Sequence, residues 1–143
     1  MSFPKLKHCL VCDNAREETR GKVTLLGFLG VSPDVEILLP APNVVGVIRP
    51  VQALQLSFVF VGGPGDGTHH VTYELYDVQK KTALGTIDTG QPITIPPPSV
   101  TGRRTNFIVN VLMPVPHFGA YELRLLVGGK LNFTGYFQIS KHP

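Results

Sequence analysis

The sequence predicts an all-β fold, a single antiparallel β-sandwich built from about seven to nine short strands. Residues that interrupt helices are frequent: 15 glycines and 13 prolines stand among 143 residues and leave little room for long helices. Apolar residues make up 43% of the chain and charged residues only 16%, which excludes a disordered chain or a coiled coil. A chain of this length forms one hydrophobic core, so we expect residues 1–143 to make one domain.

Period-two alternation of apolar and polar residues is the third observation, and it is typical of half-buried strands. It is clearest in three segments of the chain. Their inward positions are Leu54, Leu56, Phe58 and Phe60; Val71, Tyr73 and Leu75; and Phe107, Val109, Val111 and Met113. The pattern predicts one strand over each segment, with every second side chain in the interior.

The best-defined unit is a hairpin near the C-terminus. Residues 121–127 alternate, Gly128-Gly129 suits a type I′ turn because both positions tolerate positive φ, and an alternating return strand follows. The return strand is predicted to place four apolar residues inward, Leu131, Phe133, Phe137 and Ile139. Gly135 falls in an inward position of the same strand, which indicates a bulge or a close approach of another backbone.

The first third of the chain is also strand-like. Strands are predicted over residues 5–12, 22–29 and 35–39. The polar residues 13–20 are expected to form a connection, in which residues 15–18 allow one helical turn capped by Asp13 or Asn14. Farther along, prolines on both sides confine residues 93–95 to an edge strand or an extended path.

The entry to the last hairpin favours an immunoglobulin-like sandwich. Residues 118–121, Phe-Gly-Ala-Tyr, follow Pro114 and Pro116 and are similar to the tyrosine corner of such sandwiches. The chain has no tryptophan, and Cys9 and Cys12 are too close in sequence to bridge two sheets, so an antibody-type domain is not expected. A closed barrel is the nearest alternative architecture.

Charge and targeting signals exclude several classes of protein. Thirteen Lys and Arg against ten Asp and Glu give a net charge of +3, which mainly favours solubility. The cations lie in scattered pairs, so nucleic-acid binding through Lys22, Arg103 and Arg104 is only a weak alternative. An N-terminus without an apolar signal region, and the lack of a long apolar run, predict a cytoplasmic protein without a membrane span.

Cys9-Leu10-Val11-Cys12 is the one conventional chemical motif of the sequence. Its flanks are strand-like, and residues three apart on a strand face opposite sides of the sheet. We therefore predict buried, inert thiols, reduced in the cytoplasm, and no metal or other cofactor. The alternative is a metal-binding or thiol-based enzyme that uses these cysteines with nearby histidines.

The other candidate motifs lack the residues or the spacing that metal binding, phosphate binding or catalysis requires. His69 and His70 are adjacent on a predicted strand and should point apart, so we do not expect them to bind one metal ion together. The glycine-rich residues 62–67 lack the Lys-Ser/Thr of a phosphate-binding loop and precede no helix. No serine stands in a GxSxG pattern. The sequence thus favours a non-catalytic binding or interaction module.

Two features suggest where such a module binds a protein partner. The first is the polar segment after the first strand, whose candidate surface residues are Asp13, Arg16, Glu17, Glu18, Arg20 and Lys22. A simple capped connection, with Asp13 and Glu17 bonded to backbone amides or Arg16, is the competing interpretation. The second feature is a set of apolar residues on nominally outward positions, Val59, Val61, Ile108 and Leu126, which favours a second layer or a homo-oligomer.

Two segments carry a resemblance to a known group of proteins. Residues 12–28 contain Cys-Asp-x-x-Arg-x-Glu, a Gly-Lys turn and a Leu-x-Gly strand, and residues 116–121 read Pro-x-x-Gly-x-Tyr. This pattern resembles a family of small uncharacterised bacterial and phage-associated proteins, a domain of unknown function. The resemblance implies a cytoplasmic β-sandwich over most of the chain and brings no activity, substrate or catalytic residue.

Overall fold

The computed structural model describes residues 2–18, 22–39, 52–88, 90–95 and 105–141, and within them the chain is all β. This confirms the predicted all-β class, although the described residues form eleven strands where seven to nine were expected. The strands are β1 (Leu6–Glu17), β2 (Val23–Val31), β3 (Asp34–Leu39), β4 (Gln52–Gly62), β5 (Gly67–His69), β6 (Val71–Asp77), β7 (Thr82–Asp88), β8 (Ile93–Ile95), β9 (Thr105–Val115), β10 (Gly119–Val127) and β11 (Lys130–Lys141). The described residues contain no helix that is long and apolar enough to cross a membrane.

Nine of these strands form one sheet in the order β7-β6-β10-β11-β3-β2-β1-β4-β9, and β5 pairs with β8 separately. The sheet differs from the antiparallel prediction at one pair: β3 and β11 run parallel, with Glu36 opposite Gln138. These two strands are far apart in the chain, so no hairpin turn forces them to be antiparallel. The parallel pair joins two halves of the sheet. The N-terminal half contains β3, β2, β1, β4 and β9, and the other half contains β7, β6, β10 and β11, which include the C-terminal hairpin.

The two halves of the sheet face each other across one core. Phe58 on β4 lies 5.3 Å from Phe137 on β11, measured between ring centroids, although three strands separate β4 from β11 in the sheet order. Phe60 on β4 similarly stacks on Tyr73 of β6 at 6.0 Å. The sheet must therefore fold over on itself, which buries the inward rows of both halves.

The alternation predicted from the sequence is confirmed in the three best segments. Leu54 is partly buried against the core, and the other predicted inward side chains are buried: Leu56, Phe58, Phe60, Val71, Tyr73, Leu75, Phe107, Val109, Val111 and Met113. Burial of each such side chain contributes roughly 1.5–3 kcal/mol, so these rows account for much of the stability of the fold.

The C-terminal hairpin is confirmed, with one correction. Gly128 and Gly129 both have positive φ, 58° and 80°, and Val127 pairs with Lys130 across the turn. Leu131, predicted to be inward, is 58% exposed. The register shifts next to it, so Leu131 lies opposite the outward residue Leu126 instead of continuing the inward row.

Gly135 lies in a close approach, although the group that approaches it is the Cys9 side chain and not another backbone as predicted. A Cβ atom at Gly135 would lie 2.7 Å from the Cys9 sulfur, so the missing side chain makes room for β1 of the opposing half. Any larger residue here would have to displace the Cys9 thiol.

The predicted polar connection is wrong over residues 13–17, and so is the helical turn at 15–18; residues 19 and 20 lie outside the described residues. β1 continues to Glu17, and Ala15 lies opposite Leu25 of β2 in an antiparallel ladder. Ala15 is buried, and strand pairing satisfies its backbone, whereas a single helical turn would leave most of its backbone groups unbonded.

Candidate interaction surface

The candidate surface lies at the free end of the β1–β2 hairpin. β1 pairs with β4 as far as Cys12, opposite Ser57, and it pairs with β2 as far as Glu17, opposite Val23. Within the part of the chain that the structure describes, the end of this hairpin has no strand neighbour on the β4 side. The residues that the sequence singles out are therefore carried on a two-stranded ribbon that separates from β4 beyond Cys12.

Five of the six predicted surface residues are exposed on this ribbon: Asp13, Arg16, Glu17, Glu18 and Lys22. The sixth, Arg20, lies outside the described residues. Arg16 Nε lies 2.9 Å from Glu18 Oε1, and the Glu18 N–H donates to the Lys22 carbonyl at 2.7 Å. An ion pair this exposed contributes only ~0–1 kcal/mol, so these charges chiefly keep the end of the hairpin in water.

Asp13 has a more specific position than its neighbours. Its carboxylate lies over Gly27 of β2, where a Cβ atom would overlap it, and Gly27 has a φ of +66°. Only glycine adopts this φ without strain and also leaves room for the carboxylate. The capped-connection interpretation is thus wrong in its detail, because Arg16 pairs with Glu18 and Asp13 lies against the facing strand.

The hairpin also exposes two large apolar side chains that the alternation of the sequence does not mark as surface residues. Leu26 is 52% exposed and Phe28 is 55% exposed. They lie opposite Asn14 and Cys12 respectively, which places both on the same face of the ribbon. The available signal was the segment Leu-Leu-Gly-Phe-Leu-Gly, which is apolar on both faces of a strand where alternation predicts one.

The outer face of the β2-β1-β4-β9 half carries an apolar row across four strands. Register aligns Val31, Leu10, Val59 and Ile108 side by side, facing away from the main core. A second apolar cluster forms here around Cys12, Ala15 and Val59, and the partly buried residues packed against it include Leu10, Val61 and Ile108.

The predicted outward positions of Val59, Val61 and Ile108 are therefore confirmed, but the centre of this face is covered. Val59 is only 1% exposed, so a partner cannot reach it without displacing part of the chain. Leu126 belongs to the other half of the sheet, opposite Thr72 and Leu131. Accessible apolar surface remains at the two margins of the face, at Leu26 and Phe28 on β2 and at Leu112 on β9, which is 71% exposed.

The two cysteines are buried on opposite sides of the sheet, as predicted. Cys9 belongs to the main core and Cys12 to the second cluster, and neither is exposed to solvent. Burial raises the pKa of Cys9 to about 12 and also raises the pKa of Cys12. Such thiols are poor nucleophiles and poor metal ligands because both roles need the thiolate. The described residues contain no group of three or more His, Cys, Asp or Glu side chains placed to hold a metal ion.

His69 and His70 point to different partners, as predicted. His69 Nε2 lies 2.7 Å from the Asp66 carbonyl oxygen, whereas His70 Nε2 lies 3.4 Å from Asp88 Oδ2. The two imidazoles therefore do not converge on one site.

The glycine-rich loop after β4 uses its backbone to hold the N-terminal segment. Gly63 N–H donates to the Lys5 carbonyl at 3.1 Å, and Asp66 N–H donates to the Ser2 carbonyl at 2.9 Å. A Cβ atom at Gly65 would lie 2.5 Å from Pro4 Cγ, so the loop packs against the chain at close range. Two amides that a phosphate would need are already bonded, which agrees with the prediction that the loop is not a phosphate cradle.

A buried carboxylate, Asp77, lies next to His117. His117 Nε2 lies 2.6 Å from Asp77 Oδ2, and Asp77 Oδ1 accepts the Lys80 N–H at 3.1 Å. Burial alone would raise the pKa of Asp77, but the hydrogen bonds from His117 and from backbone N–H groups outweigh burial and lower it. The carboxylate is thus held ionised inside the protein.

Both imidazole nitrogens of His117 face hydrogen-bond acceptors. Nδ1 lies 2.8 Å from the Phe118 carbonyl, and that bond, together with Asp77, raises the pKa of His117 against the opposing effect of burial. Only the protonated ring can donate to both acceptors. Neither nitrogen is free to take a proton from a substrate, so the pair acts as a clamp and is unsuited to general base catalysis.

Tyr121 completes this cluster in the way that a tyrosine corner does. Its hydroxyl donates to the His117 carbonyl, four residues upstream, at 2.5 Å, and its ring stacks on the His117 ring at 5.5 Å. The similarity noted in the sequence therefore corresponds to a real hydrogen bond at the entry to β10. The contact of His117 with Asp77 was not predicted, because forty residues separate them.

A second polar cluster lies on the outer face of β6 and β10. Arg124 Nε donates to Glu122 Oε2 at 2.9 Å, its guanidinium lies 3.6 Å from the Tyr76 ring centroid, and Nη1 lies 3.5 Å from Glu74 Oε1. The guanidinium is engaged by two carboxylates and an aromatic face within the sheet. Its contacts are those of a cross-strand brace, and little of its donor capacity remains for a ligand.

Comparison of the whole chain with protein-family models finds no match, and comparison with curated proteins finds none either. The resemblance of residues 12–28 and 116–121 to a bacterial family therefore stays a prediction.

Proposed function

We propose that this protein is a non-catalytic interaction module that associates with a second copy of itself. One observation carries the proposal: Leu26, Phe28 and Leu112 are exposed by more than half of their surface along the margins of a single sheet face. Exposed apolar side chains in such numbers on one face are typical of a surface that another protein covers.

The character of the polar residues supports a module without catalysis. The titratable side chains that are buried or have shifted pKa values, such as Cys9, Asp77, His117 and Arg124, have partners inside the protein or lie sealed in a core. An acid, base or nucleophile must instead reach its substrate. Arrangements of this kind stabilise the fold.

The charge pattern at the hairpin end supports a second copy as the partner. Asp13, Glu17 and Glu18 stand with Arg16 and Lys22 in one exposed segment, so the segment carries both signs of charge. Because neither sign of charge dominates, this segment does not repel a second copy of the chain.

Sedimentation velocity from about 1 µM to about 100 µM tests the proposal directly. We expect the mass to rise from the 15.6 kDa of one chain toward twice that value. The variant Leu112→Ser should shift this rise to higher concentration. The matched control is Leu131→Ser, which removes another exposed leucine, 58% exposed, from the other half of the sheet. A monomer at every concentration would overturn the proposed function.

A further inference from the structure

β9 is an outer strand of the nine-stranded sheet with unusual features for an edge. It spans eleven residues and pairs with β4 residue for residue, from Thr105 opposite Gly62 to Val115 opposite Gln52, with no register shift. Among the described residues, β4 is its only strand partner. A long and regular edge of this kind presents a row of unpaired backbone N–H and C=O groups to one side.

The residues that direct their backbone groups to the open side can be identified from Pro114. Proline has no N–H, so within a strand its nitrogen faces the open edge. Backbone groups alternate in direction along an antiparallel strand, so residues of the same parity share that orientation. The open edge is therefore formed by the backbones of Asn106, Ile108, Asn110 and Leu112.

The strand at the other end of the sheet, β7, is protected against edge pairing, whereas β9 is not. β7 has seven residues, follows Lys80 and Lys81, ends at Asp88, and faces β6 across a register shift. Short length, charges and bulges are the usual means by which proteins block edge-to-edge association. β9 has neither a charged residue nor a bulge, and its one protective feature is Pro114 at the far end.

We propose that β9 pairs antiparallel with β9 of a second copy, so that the two sheets become continuous across a two-fold axis. This inference rests on the proposed self-association and names the contact that produces it. With Val109 at the axis, Ile108 lies opposite Asn110 of the second copy, and Asn106 lies opposite Leu112. The pairing brings no like charges together, and it satisfies the open backbone groups of both strands.

The second copy suits this edge better than an unrelated peptide for a structural reason. Ile108 ends the apolar row that begins at Val31, and in this register it lies diagonal to Ile108 and Leu112 of the second copy, so the apolar residues of the two copies meet. The partner also covers the exposed Leu112 with a strand that is equally free of charge.

Amide hydrogen exchange resolved by residue tests the proposal on the unmodified protein. At a concentration where the dimer forms, we expect the amides of Ile108, Asn110 and Leu112 to become protected at least tenfold over the monomer. The amides of Val109 and Val111 bond to β4 and should be protected at both concentrations. This alternating response is specific to edge pairing, because burial by another surface would not select every second residue.

The variant Leu112→Lys provides the second measurement. The side chain of residue 112 is exposed to water in the single chain, so the variant should fold. Pairing of the two β9 strands would place a charge at their contact. We expect its dimer to dissociate at concentrations at least tenfold higher than the wild type, and the control Leu131→Lys to match the wild type. A dimer that persists in Leu112→Lys, without alternating protection in β9, overturns the edge contact and leaves the proposed function standing. A wild-type monomer throughout overturns both.

Discussion

His117 Nε2 lies 2.6 Å from Asp77 Oδ2, although forty residues separate the two in the chain. Asp77 ends β6 and is only 1% exposed, whereas His117 precedes β10. A second hydrogen bond joins the same places, since Val78 N–H donates to the Ala120 carbonyl at 3.2 Å. The Tyr121 hydroxyl donates to the His117 carbonyl and holds the entry to β10 itself. Together these contacts fix the turn after β6 against the entry to β10.

The contact between His117 and Asp77 should make stability depend on pH. The pKa of His117 is raised in the folded state, so its contribution is complete below its ordinary value of 6.5 and is lost as pH rises through the folded pKa. The pKa of Asp77 is lowered, so its contribution is complete above 3.8 and is lost as pH falls through the folded pKa. The pair therefore stabilises the fold most between these two values.

Replacing His117 by glutamine should remove this dependence. We expect the free energy of unfolding of His117→Gln to be lower than that of the wild type by about 1.5–3 kcal/mol near pH 5, with the difference shrinking above pH 6.5. Urea unfolding at a series of pH values measures it. His70→Gln is the matched control, since His70 and Asp88 are both about half exposed. A His117→Gln difference that is constant from acid to alkaline pH would contradict the clamp.

Removing the hydroxyl of Tyr121 should weaken the same junction without disturbing its packing. Tyr121→Phe keeps the stacking on His117 and Phe137 but deletes the hydrogen bond to the His117 carbonyl. The expected loss in the free energy of unfolding is about 1–2 kcal/mol. Tyr136→Phe, at a ring 47% exposed, should change it by less than about 0.5 kcal/mol. Equal effects in the two variants would show that the corner hydrogen bond is not stabilising.

The sequence predicts the fold best where packing and turn chemistry agree. The hairpin of β10 and β11 has clear alternation and a Gly128-Gly129 turn, and both determine its register locally. Alternation places Leu131 on the wrong face because a bulge depends on backbone geometry that residue type does not reveal. The polar residues Arg16 and Glu17 predict a loop where β1 continues, because a two-stranded ribbon exposes polar residues much as a loop does.

The candidate site was less predictable than the fold, for two physical reasons. The contact of Asp77 with His117 depends on how distant strands meet, and alternation carries no information about such pairings. The exposure of Leu26 and Phe28 cannot be read from the sequence, because an apolar residue in a strand is normally assigned to a core. The described charged residues near Asp13 are exposed, as their charge predicts.

The close approach of Gly135 to Cys9 predicts a coupling between these two positions. In Gly135→Ala the new Cβ would lie 2.7 Å from the Cys9 sulfur, so we expect a loss of about 1–3 kcal/mol in the free energy of unfolding. Cys9→Ala removes the sulfur and leaves its Cβ atom 3.4 Å away, which is tolerable. The double variant Cys9→Ala/Gly135→Ala should therefore be more stable than the sum of the two single effects predicts.

Denaturant unfolding of all four proteins in this cycle gives the coupling energy. Gly85→Ala is the matched control for the glycine substitution, since a Cβ atom there meets nothing within 4 Å. It should leave the free energy of unfolding unchanged or slightly higher. Additive effects at Cys9 and Gly135 would argue against the close packing of β1 on β11.

Burial of both thiols predicts that a thiol reagent reacts only when the protein opens. Neither Cys9 nor Cys12 is exposed, and burial raises the pKa of both, so the thiolate that reacts is almost absent in the folded state. With a chromogenic disulfide at neutral pH, we expect slow labelling of the native protein and rapid labelling of two thiols in denaturant. Because opening limits the reaction, Tyr121→Phe should label faster than the wild type by roughly the factor of its lost stability, about tenfold per 1.4 kcal/mol. Rapid labelling of the native protein, unaffected by this variant, would mean that a thiol reaches solvent without unfolding.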